Sequence, residues 1–101
     1  MVLAANNLLD RVTRRGTKFN RRGFALYYLK VLDPPRPRIV ISQKIDKRAV
    51  VRNRLRRQIK AILSGADLGR RAVVIIVRKE LLALSFSELK TELGQVLTQI
   101  Q

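Results

Sequence analysis

Along this chain the spacing of hydrophobic residues switches between a helical and an alternating period, and each switch predicts an element. Leu8, Leu9 and Val12 lie at i, i+1 and i+4, which predicts a short helix over 4–15. Arg11, Arg14 and Arg15 fall near its C-terminal end, where cations suit the helix dipole, and Gly16 is placed to end it. A basic loop follows from Thr17 to Gly23, with Phe19 inside it; a small strand at 17–20 is only weakly signalled. Residues 24–32 read as a strand with Phe24, Leu26 and Tyr28 on one face and Ala25, Tyr27, Leu29 and Val31 on the other. Both faces are largely apolar, so both should be covered. Asp33-Pro34-Pro35 breaks this strand, and 38–42 forms the next one. The short connection argues that these two strands pair antiparallel.

The period then returns to helical. Val51, Leu55, Ile59 and Ile62/Leu63 predict a helix over 47–63 with one buried stripe. Gly65, Asp67 and Gly69 mark a loop, and the β-branched run 72–77 predicts a strand buried on both faces. Ser85-Phe86-Ser87-Glu88 fits a capping box, with Leu84 and Leu89 placed as a hydrophobic staple. Phe86, Leu89, Leu93, Val96, Leu97 and Ile100 then make the stripe of a last helix. The expected fold class is α+β: a single small sandwich, α-β-β-α-β-α, plus the weakly signalled strand near 17–20. At 101 residues the chain suits one domain, 1–101.

Charge changes the picture from fold to function. Lys and Arg number 22 against 7 Asp and Glu, a net charge of +15. With 47% hydrophobic residues the chain can fill a core, so it is not a basic disordered tail. Solubility alone favours added acids over added bases, so a polyanion partner is the better reading. The basic residues are unevenly placed. Nineteen lie within 1–71 and eight within 44–60, where Asp46 is the lone acid. Histidine and cysteine are absent, which removes imidazole bases, thiolate nucleophiles and nearly all zinc sites. No stretch approaches the roughly 18 apolar residues of a membrane span, and the first residues lack a signal-peptide pattern. The expected location is therefore the cytoplasm.

Within the basic helix the 3.6-residue period sets Arg52, Arg56 and Lys60 on one line, Asn53 and Arg57 on the next, and Arg54 further round. Like charges at i, i+4 cost a few tenths of a kcal/mol each, so the ridge makes sense when phosphates neutralise it. Asn53 has two readings that its residue type leaves open. It is a solvated surface residue, or an amide that donates to phosphate or 2′-hydroxyl oxygens or fixes a neighbouring arginine. A DNA-binding regulator is the weaker alternative, because strands flank the helix and no tight helix-turn-helix is evident. An RNA-binding protein of ribosomal or chaperone type, built on the same scaffold, is the other alternative.

Arg52-Asn53-Arg54, preceded by Ala49 and followed by Leu55-Arg56-Arg57, resembles the RNR signature of the bacterial ribonuclease P protein family. Ser42-Gln43-Lys44-Ile45 resembles the segment ending the family's preceding strand. Gly16-Thr17-Lys18-Phe19 with Phe24-Ala25-Leu26-Tyr27 resembles its first loop and strand, and Leu84 to Leu89 its last helix start. The resemblance implies an α+β sandwich with a left-handed βαβ crossover. It implies a protein subunit with no catalytic residues of its own, which helps an RNA catalyst mature the 5′ ends of tRNA. The RNA subunit supplies the chemistry with Mg²⁺, and the protein alone holds no cofactor or metal. The partners implied are the ribonuclease P RNA and precursor tRNA. By motif match, Lys44, Arg52, Asn53, Arg54, Arg56, Arg57 and Lys60 contact the RNA subunit. Tyr27, with positions Leu9 and Thr13, falls in the family's cleft for the 5′ leader. Leu9 and Thr13 stand where the family carries aromatics, and Arg38 where its third strand commonly has glycine.

Overall fold

In the computed structural model, residues 4–100 are described, with side chains from Leu8 onward. The elements are α1 (Ala4–Arg15), β1 (Thr17–Asn20), β2 (Phe24–Lys30), β3 (Arg38–Val40), α2 (Ala49–Ser64), β4 (Arg71–Val77), a 3₁₀ turn (Lys79–Ala83) and α3 (Phe86–Ile100). The weakly signalled segment 17–20 is thus a strand. Its register on β2 runs from Thr17 opposite Tyr28 to Asn20 opposite Ala25.

The four strands form one sheet in the order β1-β2-β4-β3. The antiparallel pair expected of β2 and β3 does not form. β4 lies between them, antiparallel to β2 from Phe24–Val77 to Lys30–Arg71 and parallel to β3 from Arg38–Val74 to Val40–Ile76. Two physical reasons account for this. Ala72 to Ile75 and Val77 are buried, and such a strand gains most with a hydrogen-bonding neighbour on each side. The connection also carries Pro34, Pro35 and Pro37, which lack the N–H groups a tight hairpin uses. An extended proline-rich segment of about 3.1 Å per residue easily crosses one intervening strand.

The period-2 pattern then splits the core in two. Phe24, Leu26, Ile39, Val73, Ile75 and Val77 face α2 and α3, joining Val51, Leu55, Ile59, Leu63, Leu89, Leu93 and Val96. The opposite face, with Ala72 and Val74, packs against Val12, Leu8 and Leu9 of α1 beside Tyr27, Leu29, Val40 and Ile76. The two-sided burial expected of β2 is therefore real, and the covers are unequal: two helices on one face, one on the other.

The start of α3 is set as the sequence demands. The Ser85 backbone N–H donates to Glu88 Oε1 at 2.9 Å, and the Glu88 N–H donates to Ser85 Oγ at 3.1 Å. Phe86 departs from the expected stripe, being 42% exposed in the first turn. Leu81 from the 3₁₀ turn is buried in this cluster and Leu84 packs against it, so the core is filled there without Phe86.

Candidate nucleic-acid interface

The candidate interface is built from one helix and the turn that leads into it. Val51, Leu55, Ile59 and Leu63 pin α2 to the sheet. Burying four such side chains stabilises by about 1.5–3 kcal/mol each, enough to hold the opposite face outward despite its self-repulsion. That face carries Asn53, Arg54, Arg57 and Lys60 exposed and Arg52 and Arg56 half-buried. No acid occurs among the sixteen residues of α2. Val50 is 70% exposed, and it shares a shallow concave surface with Asn53, Arg56, Arg57 and Lys60. It is the apolar member of a cationic face, and the sequence offered a signal for it: Val50 lies one residue off the buried stripe.

Asn53 is exposed, as a solvated residue would be, and its Oδ1 also accepts a long 3.5 Å bond from Arg56 Nη1. Lys44 is exposed in the turn after β3, beside the helix start. Arg52 is directed otherwise. Its Nη1 donates to the carbonyl oxygens of Asp46 and Lys47, both at 2.8 Å. Asp46 in turn accepts from the Arg48 backbone N–H at 2.9 Å and from the Arg48 guanidinium at 3.1 and 3.0 Å. The Arg48 bonds, side chain first, hold the Asp46 carboxyl down from its ordinary 3.8 to about 2, and the charge of Arg52 adds to them. Neither Arg48 nor Asp46 was among the residues that the motif match assigned to the RNA subunit, although both lie in the dense basic stretch 44–60.

The α1 face offers a second surface. A cavity of about 140 Å³ lies between α1 and the β3 side of the sheet, lined by Leu8, Leu9, Val12, Pro35, Arg36, Arg38 and β4 residues. An apolar cavity of about 150 Å³ accepts a benzene-sized ring. Leu9 is part of this lining; Thr13 and Tyr27 are not. Thr13 Oγ1 donates back to the Leu9 carbonyl at 3.0 Å. Tyr27 lies on the same sheet face, with Lys18 Nζ 5.4 Å from its ring centroid. Arg36 and Arg38 at the cavity were outside the expected set. Arg36 also lines a groove with Lys60, so it connects the cavity to the far end of the α2 ridge.

Comparison with known proteins decides the family. The ribonuclease P family profile matches residues 1–101. The chain belongs to the ribonuclease P protein family. A Rickettsia felis ribonuclease P protein component is 32% identical over 104 residues, covering 85% of each chain. One from a Cyanothece strain is 42% identical over 77 residues, which is 68% of this chain and 55% of that relative. The Thermotoga maritima and Staphylococcus aureus RNase P proteins share the fold, with TM-scores of 0.82 and 0.81 at 24% and 21% identity. These alignments cover 99% of this chain and all of the first protein, and 100% of this chain and 94% of the second.

Among the described residues of this ribonuclease P family chain no group of three or more His, Cys, Asp or Glu side chains is gathered. The carboxylate beside the start of α2, Asp46, is bonded to Arg48. No helix among the described residues is long and apolar enough to cross a membrane.

Proposed function

We propose that this chain is the protein subunit of ribonuclease P, acting in the cytoplasm as a single RNA-binding domain, 1–101. It binds the catalytic RNA through α2 and its lead-in turn. The observation that carries this reading is the acid-free outer face of α2, pinned from behind by its buried stripe. Lys44, Arg54, Arg56, Arg57 and Lys60, with Asn53 orienting Arg56 and Arg52 behind them, replace counterions around closely spaced phosphates. Arginine forks suit such phosphates better than point charges do. Each contact steepens the salt dependence of binding.

The α1 face takes the 5′ leader of precursor tRNA as a single strand. The cavity edged by Leu9 admits one unstacked base, Arg36 and Arg38 meet its flanking phosphates, and Tyr27 offers a stacking surface. Leu9 and Thr13 supply no ring, so guanidinium contacts carry more of leader binding than stacking does. Magnesium and the hydrolytic chemistry belong to the RNA. The protein raises substrate affinity and screens phosphates, which lowers the magnesium requirement of 5′-end maturation.

The test is reconstitution with the cognate ribonuclease P RNA, following leader removal from precursor tRNA. The protein should stimulate cleavage at low magnesium. RNA that is active alone at high magnesium, yet gains nothing from the protein at low magnesium, would overturn the reading.

A further inference from the structure

The lone acid of the basic segment stands where an RNA-binding surface has least use for one. Coulomb's law alone makes Asp46 a liability, repelling every phosphate its neighbours attract. Its geometry argues otherwise. The Asp46 side chain is 13% exposed, whereas that of Arg48 is 73% exposed. The carboxylate is therefore largely covered while the guanidinium it grips remains at the surface. Both Asp46 oxygens are used by Arg48, and Oδ1 also accepts the Arg48 backbone N–H, closing the turn before α2. From the helix side, Arg52 fastens the carbonyls of Asp46 and Lys47. Ile45, half-buried against the core, anchors the same turn from below. Arg48 caps α2 without a side-chain cap bond of its own, so this clamp is what fixes the path into the helix.

We propose that Asp46 is a positioning residue for RNA binding: its carboxylate presets Arg48 and the turn 44–48 beside the α2 ridge. This rests on the reading of α2 as the RNA-subunit interface. Ordering a long arginine before binding removes part of the entropy that the complex otherwise loses in fixing it. The negative charge costs little, because Arg48 and Arg52 neutralise it at close range.

The experiment measures affinity of the full chain for ribonuclease P RNA across a salt series. The proteins are wild type, Asp46→Ala, Asp46→Asn, Arg48→Ala and the Asp46→Ala/Arg48→Ala pair. Asp46→Ala should bind about fivefold more weakly despite the gain of one net positive charge. Its salt slope should flatten by about 1, as for loss of one phosphate contact. Asp46→Asn retains an oxygen for the Arg48 N–H and should recover part of the loss. It also carries the test if Asp46→Ala proves unstable. The double variant should be no weaker than Arg48→Ala, since the carboxylate acts through that side chain. A wild-type protein that does not bind the RNA rejects the interface, and the clamp with it. Wild-type binding with a steep slope, together with equal or tighter binding by Asp46→Ala, rejects the clamp alone.

Discussion

Two glycines show how far a residue's role depends on what surrounds its missing side chain. A Cβ on Gly16 would run into the carbonyl oxygens of Tyr28 and Val12, both backbone. The Gly16 N–H also closes α1 by donating to Val12 O at 2.9 Å. Gly16→Ala should therefore destabilise by about 1–3 kcal/mol, since neither carbonyl can move without shifting a strand or a helix end. Gly94 is the opposite case. It lies inside α3, and a Cβ there meets nothing within 4 Å. Gly94→Ala should stabilise by about 1 kcal/mol through helix propensity. In a thermal melt that is a rise of about 4–8 °C, with Gly16→Ala shifting the other way. The sequence marked Gly16 as a helix terminator, but the approach of the β2 backbone to it is a tertiary fact. At the interface the same division holds. Helical spacing put Arg54, Arg57 and Lys60 on the outer face, while Arg52 on that ridge turns back onto carbonyls six and five residues earlier. Spacing fixes where a side chain starts, and a long arginine then reaches whichever acceptors the neighbouring turn presents.

Elements were most legible where a local rule suffices. The box at Ser85 and Glu88 needs only four residues, and both of its hydrogen bonds form. Those bonds, the Ser85 N–H first and then its side chain, hold the Glu88 carboxyl below the usual carboxylate range. Asp46 does the same before α2, down to about 2. Both groups are depressed in the folded state, so each contributes stability above its unfolded pKa and loses it as pH falls through the folded one. Urea midpoints should stay level from neutral pH to the ordinary carboxylate range and then fall. Asp46→Asn should remove the part of that fall lying between pH 3.8 and about 2. Ser85→Ala should lower the midpoint at pH 7 by the equivalent of about 1 kcal/mol and shrink the Glu88 part of the acid response. An acid profile unchanged in both variants would show that neither cap couples to folding. β3 was the least legible element. Its apolar residues announce a strand, but partner choice depends on β4, more than thirty residues later, and on prolines that rule out a hairpin.

At the scale of the whole molecule, +15 is not spread evenly, and the fold turns its distribution in sequence into one in space. α2 presents one basic surface, and α1 with the open side of the sheet presents another, on the opposite face. The 3₁₀ turn and α3 carry only Lys79 and Lys90 among Glu80, Glu88 and Glu92. A protein with two basic faces and a near-neutral flank can hold one RNA with each face while leaving the flank in solvent. The seven lysines sample all three regions and can be read by acylation and mass spectrometry. With the RNA subunit alone, Lys44, Lys47 and Lys60 should lose reactivity while Lys79 and Lys90 keep theirs. Lys18, set against Tyr27 on the α1 face, should become protected only when a precursor tRNA with its leader is added. Mature tRNA, which lacks the leader, should leave it reactive. Equal protection of all seven lysines by the RNA subunit would mean that the charge acts as a diffuse cloud, and that the two faces do not divide the work.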